Sequence, residues 1–164
     1  MPVGAASWSF TEDDFGAITT ALEQFLSDSN ARCALLVDRT GQLVATVGER
    51  PNFDPTAFST LAAADFSAND QLAKMIGEAE FASLFHQGEK ESMYLADIAR
   101  RVILVFLFDN RTTLGLVKLR VRSTVGELRH VFEEMFTRGA SGPAQVETGF
   151  LGEAEDELDK LFGA

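Results

Sequence analysis

Few residues in this chain have a type and spacing that could do chemistry. Histidine, the usual general base near neutral pH, occurs twice, as His86 in "FHQGEKE" and His130 in "ELRHVFEE". Neither has a second histidine or cysteine at metal-ligand spacing, so each reads as a surface or structural residue. The single cysteine, Cys33, lies in the apolar run "CALLV". A buried, inert thiol is expected there, and one cysteine can form no intrachain disulfide. Ser, Cys and His show no arrangement of nucleophile with base. "GER" and "GEK" lack the strand–Gly–Lys–Ser pattern of a phosphate-binding loop. One catalytic device remains. Arg111 in "DNRTT" is placed on a turn, from which an arginine can reach into a partner's nucleotide site; an exposed turn arginine without such a role is the commoner case. The residues predict no active site of the chain's own, no cofactor and no metal.

Elements able to position a binding surface are easier to find. In "SFTEDDFGAITTALEQFL", Thr11 and Asp14 predict a capping box, and Phe10 with Phe15 a hydrophobic staple. Phe15, Ile18, Leu22, Phe25 and Leu26 then recur at helical spacing. "RCALLVD" and "QLVATVG", joined by a turn at 39–41, read as a hairpin. In "NFDPTAFSTLAAADFSANDQLAKMIG", Asp54 caps a second helix and Pro55 takes its first position, where the missing N–H costs nothing. Phe58, Leu61, Ala62, Leu72 and Ile76 form its predicted apolar face, with Asp65 and Asn69 as polar intruders. "EAEFASLFHQGEKE" reads as a loop or a short helical turn. Strands are predicted at "SMYLA", "RVILVFLFD" and "LGLVKLRV", the last by alternation of Val117, Leu119 and Val121 with Lys118, Arg120 and Arg122. "STVGELRHVFEEMFTR" reads as a third helix, capped by Thr124 and Glu127 and stopped at Gly139. Hairpin-linked strands are antiparallel, so the class is α+β, a sheet packed with helices.

Length and charge bound the rest. The 164 residues suffice for one domain and a short appendage, with a hydrophobic content of 46% inside the globular range. The predicted organisation is a domain over 1–138, a Gly/Pro-containing linker over 139–150 and an acidic amphipathic segment over 151–164. A net charge of −11 argues against a nucleic-acid binder and against docking on an anionic membrane. The N-terminal sequence has no pattern of a secretory signal, and "VILVFLF" is too short to span a bilayer, so a cytoplasmic protein is expected.

Two stretches are candidate docking surfaces. On the second helix, Thr60, Ala63, Ala64, Ser67, Gln71 and Lys74 lie away from the predicted apolar face, and small side chains there let another backbone approach. An alanine-rich solvated face is the plainer reading. In the terminal segment, "GFLGEAEDELDKLFGA", Leu151, Leu158, Leu161 and Phe162 are interleaved with five carboxylates. Helices this short are marginal alone in water, so the residues by themselves favour a disordered, solubilising tail, with folding on a partner as the alternative.

"LLVDRTGQLVATVG", "LAKMIGEAEFASLFHQGEKESMYL" and "RVILVFLFDNRTTLGLVKLRV" resemble the roadblock family of small-GTPase regulators, over about residues 31–136. The resemblance implies a roadblock-like α-β-β-α-β-β-β-α fold: a central antiparallel five-stranded sheet with helices on both faces, followed by a flexible C-terminal tail helix. It implies a homodimeric GTPase-activating protein for a Ras-like small GTPase in its GTP-bound state, with a role in cell polarity and gliding motility and a place at a cell pole. Two sheets would join through an edge strand, assigned to Ser92, Met93, Tyr94 and Leu95. The paired second helices would then offer Ala64, Ser67, Ala68 and Gln71 to the GTPase, flanked by Lys74. Activation in the family does not insert an arginine finger; the dimer reshapes the GTPase's switch regions. The ending "EDELDKLF" also resembles a family feature. It implies a second GTPase contact in which Leu158, Leu161 and Phe162 fill an apolar groove and the leash raises the effective concentration. Two other readings stay open: a scaffold that binds a GTPase without activating it, and a small-ligand sensor of PAS or profilin-like architecture.

Overall fold

A computed structural model describes residues 10–141. Its elements are α1 (Glu12–Ser29), β1 (Cys33–Asp38), β2 (Leu43–Gly48), α2 (Pro55–Met75), β3 (Ser83–Gln87), β4 (Ser92–Ile98), β5 (Val102–Phe108) and α3 (Leu114–Ser141). The five strands form one antiparallel sheet in the order β2-β1-β5-β4-β3, which leaves β2 and β3 at its edges. One face carries Cys33, Leu35, Val37, Leu95, Ile103 and Val105 and packs under Ala62, Ala63 and Phe66 of α2. The other carries Ala34, Leu36, Tyr94, Ala96, Leu104, Phe106 and Phe108 and packs under α1 and α3. Strand β1, covered on both faces, is buried at every position and so reads as a continuous apolar run rather than an alternation.

Local chemistry accounts for the connections. The Thr11 hydroxyl accepts from the Asp14 N–H at 3.1 Å, and the Asp14 carboxylate accepts from the Thr11 N–H at 3.0 Å, closing the expected capping box. Phe15 is 48% exposed, so the staple does not form; Phe10 packs edge-on against Phe132 of α3 instead. Asn30 ends α1 in the left-handed region, as an αL cap does. In the β1–β2 turn the buried Asp38 carboxylate accepts from the N–H groups of Thr40 and Gln42, each at 2.9 Å. At Gly48 (φ +94°) an added Cβ would lie 2.5 Å from the Arg32 carbonyl oxygen, so only glycine fits.

Three elements differ from the sequence expectation, although their order and number agree. "SLFHQ", expected as a loop, is β3, and its Leu84, Phe85 and His86 pair with Leu95, Tyr94 and Met93. "LGLVKLRV", expected as a strand, is the first part of the 28-residue α3. Six residues of alternation competed there with a longer helical period: Val117, Val121, Thr124, Leu128 and Phe132 are buried, whereas Leu119 is 62% exposed. Thr113 caps the helix, its hydroxyl accepting from the Leu116 N–H at 3.2 Å. Thr124 therefore lies mid-helix, bonded back to the Arg120 carbonyl, and caps nothing. The helix also continues through Ser141, so Gly139 does not end it and 139–141 belong to α3 rather than to a linker.

Candidate functional site

Helix α2 carries the candidate surface. Asp54 caps it by accepting from the Thr56 N–H at 3.0 Å, with Pro55 at the first position. Ser59, Ala62, Phe66, Asn69 and Ala73, alternately three and four residues apart, form its buried stripe, together with Ala63. Phe66 is fully buried, and the small Ala62, Ala63 and Ala73 bring the helix close to the sheet. The predicted apolar face was thus rotated away from the true one: Leu61, Leu72 and Ile76, expected in the core, are 69%, 58% and 70% exposed. With Ala64, Ala68 and Met75, also exposed, they make an apolar stripe facing water along the whole helix. Contiguous exposed apolar residues are the kind of surface on which partners dock, which makes this stripe the candidate site.

The two flanks of that stripe differ. Toward β3, the Asp65 carboxylate meets His86 Nε2 at 2.6 Å, tying the helix to the edge strand. Beyond it Leu84 and Met93 are half-buried, so the sheet on this side is only partly covered by α2. Toward the β1–β2 turn the flank is small and polar: Thr60, Ser67 and Lys74 recur every seven residues, with Gln71 beside them, and all are exposed. Arg39 of that turn locks the helix down, bonding Asp70 at 2.8 Å and Asp97 of β4 while its guanidinium stacks 5.0 Å from the Phe66 ring centre. Asn69, the other expected intruder, is buried with its Nδ2 unpartnered.

Of the sequence-predicted docking residues, Thr60, Ala64, Ser67, Ala68, Gln71 and Lys74 lie together on the solvent side of α2, but Ala63 does not. It is 7% exposed and packs on the sheet, because its position falls on the buried side of the helix. The edge-strand assignment is also corrected. Ser92, Met93, Tyr94 and Leu95 belong to β4, which is hydrogen-bonded to β3 on one side and β5 on the other. The open edges are β2 and β3, and β3 is the one that Asp65 of α2 reaches through His86. Leu158, Leu161 and Phe162 lie outside the described residues. The exposed Leu61, Leu72, Met75 and Ile76 were missed as site residues. The signal available in the sequence was Phe66: placing the one large ring of mid-helix in the core turns those four outward.

Arg111, whose side chain is 45% exposed, is engaged within its own chain. Its Nη1 bonds Glu49 at 2.9 Å and its Nε bonds Asp109 at 3.0 Å, while its carbonyl accepts from the Asn30 side chain. The bonds to Glu49 and Asp109 push its pKa up and hold both carboxyls below their usual range. Cys33 is buried, and burial pushes its thiol pKa up, as an inert cysteine requires. Among the described residues no group of three or more His, Cys, Asp or Glu could hold a metal ion, and no helix is long and apolar enough to cross a membrane.

Comparison with known proteins gives this surface a context. The Roadblock/LC7 domain model matches residues 18–108. Myxococcus xanthus MglB is similar at 41% sequence identity with a TM-score of 0.73, covering 77% of this chain and 96% of that one. The gliding protein MglB of Thermus thermophilus is similar at 32% identity and a TM-score of 0.73, covering 78% and 97%. An MglB structure with a tetrameric arrangement is similar at 32% identity and the same TM-score, covering 79% and 97%. Among curated protein sequences none matches significantly. A sheet in the order β2-β1-β5-β4-β3 under α2, a family model spanning more than half the chain and a 41% identical relative covered almost end to end agree, and the chain belongs to the Roadblock/LC7 family.

Proposed function

We propose that this protein is a homodimeric GTPase-activating protein for a Ras-like small GTPase of the MglA kind, acting on its GTP-bound form in cell polarity and gliding motility. The observation that carries the reading is the split surface of α2. Its apolar flank, Leu61, Leu72 and Ile76, stands beside the open β3 edge, where a second copy could add its own β3 and bury both apolar stripes at once. The small polar flank, Thr60, Ser67, Gln71 and Lys74 with Ala64 and Ala68 along its margin, stays accessible on the paired helices and offers a close approach to one GTPase molecule. The chain has no active site of its own in this reading. It contributes no arginine finger, in keeping with the engagement of Arg111 by Glu49 and Asp109. Acceleration comes from fixing the partner's switch regions so that the partner's residues and Mg²⁺ stabilise the transferring phosphoryl group. The protein acts in the cytoplasm, at a cell pole. Likeness to the MglB of Thermus thermophilus, named a gliding protein, and to an MglB with a tetrameric arrangement supports both the partner class and self-association.

The test is GTP hydrolysis by the Ras-like GTPase encoded nearest to this protein's gene, with and without a molar excess of the chain. A large rate increase that Ser67→Arg or Gln71→Arg abolishes is expected. GTP-dependent binding without acceleration would make the protein an adaptor, and neither binding nor acceleration would remove the GTPase from the reading.

A further inference from the structure

The outer flank of α3, across the sheet from α2, combines a row of cations with a cavity. Lys118, Arg122 and Arg129 fall within about 40° of one another at 3.6 residues per turn, and all are exposed. Leu114 and Val125, both half-buried, lie along the inner side of the same row. The opposite side of α3 faces α1, where Arg138 bonds Asp14. The row therefore borders the β3 end of the sheet, where Phe85 is only half-buried. One turn before Lys118, Leu114 lines a cavity of about 250 Å³ together with Phe85, Phe108, Lys90 and Thr112. The Phe85 and Phe108 rings stack with their centres 5.9 Å apart. Thr112 keeps a buried Oγ1 with no hydrogen-bond partner among the described residues, a group that an occupant's carbonyl or carboxylate would satisfy. Among the described residues none of Lys90, Lys118, Arg122 and Arg129 makes an ion pair. Acidic neighbours are few: Glu89 stands at the cavity and Glu133 beyond Arg129, while the Asp109 carboxylate in the lining is already bonded by Arg111.

We propose that this flank binds an acidic helical segment of a partner protein. The segment lays its carboxylates along Lys118, Arg122 and Arg129 and inserts one apolar side chain into the cavity. Charge complementarity selects the carboxylates, because three exposed cations in one row would otherwise face water alone. The cavity selects a side chain rather than a free ligand, since about 250 Å³ falls below the ~300–1,000 Å³ of small-molecule pockets. The lengths agree. Leu114 to Arg129 spans about 22 Å, which a helix of about 15 residues matches. A broad anionic surface, nucleic acid or membrane, fits worse. Glu12, Asp13, Glu23 and Asp28 are exposed on α1, on the same side of the sheet, and would oppose it, whereas a single segment follows the α3 row alone. Because the site lies on the sheet face opposite α2, it does not depend on the proposed GTPase surface.

Fluorescence anisotropy of the full chain, without any GTPase, tests it. The probe is a fluorescein-labelled peptide of about 15 residues. It carries glutamates at helical spacing on one face and a single phenylalanine near one end, and is made in both sequence directions. In about 0.05 M salt one direction should bind with a Kd on the order of 10–100 μM, weakening at least ~10-fold in about 0.5 M salt. Exchanging the peptide's phenylalanine for alanine should weaken binding at least ~5-fold, and exchanging its glutamates for glutamines at least ~10-fold. Lys118→Glu/Arg122→Glu should abolish binding while keeping the melting temperature. The peptide exchanges, read on the native chain, give the same answer if that variant does not fold. No binding of either direction below ~1 mM would overturn the site. Equal binding of the phenylalanine-free peptide would overturn the anchored mode and leave only diffuse charge attraction. Phosphatidylserine vesicles that bind the native chain more tightly than the peptide does, and release it on Lys118→Glu/Arg122→Glu, would give the row to a lipid surface and overturn the partner class. The GTPase assay above can fail or succeed independently of all these outcomes.

Discussion

Replacing Leu72 by Glu separates a partner surface from a core position. Full burial of a leucine side chain contributes about 1.5–3 kcal/mol. Leu72 leaves 58% of its surface exposed, so covering that part in an interface is worth ~1–2 kcal/mol. A two-fold contact counts it twice, giving ~2–3.5 kcal/mol, or roughly 30- to 300-fold in Kd. The desolvation of two new carboxylates adds to this, so Leu72→Glu should weaken self-association by at least roughly 100-fold. Glu and Leu have similar helix propensities, so the fold of the protomer should be retained. Sedimentation equilibrium gives the association constant. Calorimetry should show a melting temperature that rises with concentration for the wild type and not for the variant, because only the folded pair is stabilised by mass action. A variant that associates as well as the wild type would take α2 out of the interface. A variant that no longer unfolds cooperatively would mean that Leu72 belongs to the core after all.

The other expectations are simpler. Arg111→Ala should leave activation of the GTPase within about twofold, since no guanidinium is being inserted; a loss of roughly 10³-fold or more in turnover, the range of an arginine finger, would reinstate that role. Gly48→Ala should cost more than about 2 kcal/mol in urea unfolding, because its Cβ would meet the Arg32 carbonyl at 2.5 Å and its φ is +94°. Asp14 is held below the usual carboxylate range, first by the hydrogen bond from Arg138 and then by those from Thr11. Its stabilisation is therefore present above its unfolded pKa of about 3.9 and is lost as pH falls through the lower folded value. Asp14→Asn should accordingly be less stable than the wild type at pH 7, with the gap closing below about pH 4 in urea midpoints followed against pH. Cys33 should resist an aromatic disulfide reagent at neutral pH until the chain is unfolded; rapid labelling of the native protein would contradict its burial.

Local signals determined much of this protein. Thr11 with Asp14, and Asp54 before Pro55, mark helix starts through bonds made within three residues, so the sequence alone displays them. The apolar runs at 33–37 and 102–108 identify central strands because covering both faces removes any need for a polar position. Composition and spacing likewise reveal the scarcity of catalytic groups, and the quoted motifs reveal the family. What the sequence alone did not decide are the places where two periods or two faces compete. "SLFHQ" is a strand because β4 supplies its hydrogen-bond partners; alone it has too few apolar residues to declare itself. "LGLVKLRV" alternates like a strand, yet α1 and the sheet together reward burial of Val117, Val121 and Leu128 along a helix. On α2 both stripes are apolar, and only the sheet beneath, by accepting Phe66 and the close approach of Ala62 and Ala73, determines which one turns inward. The stripe left outside is the candidate docking surface, so its place is set by packing contacts distant in sequence rather than by the residues that compose it.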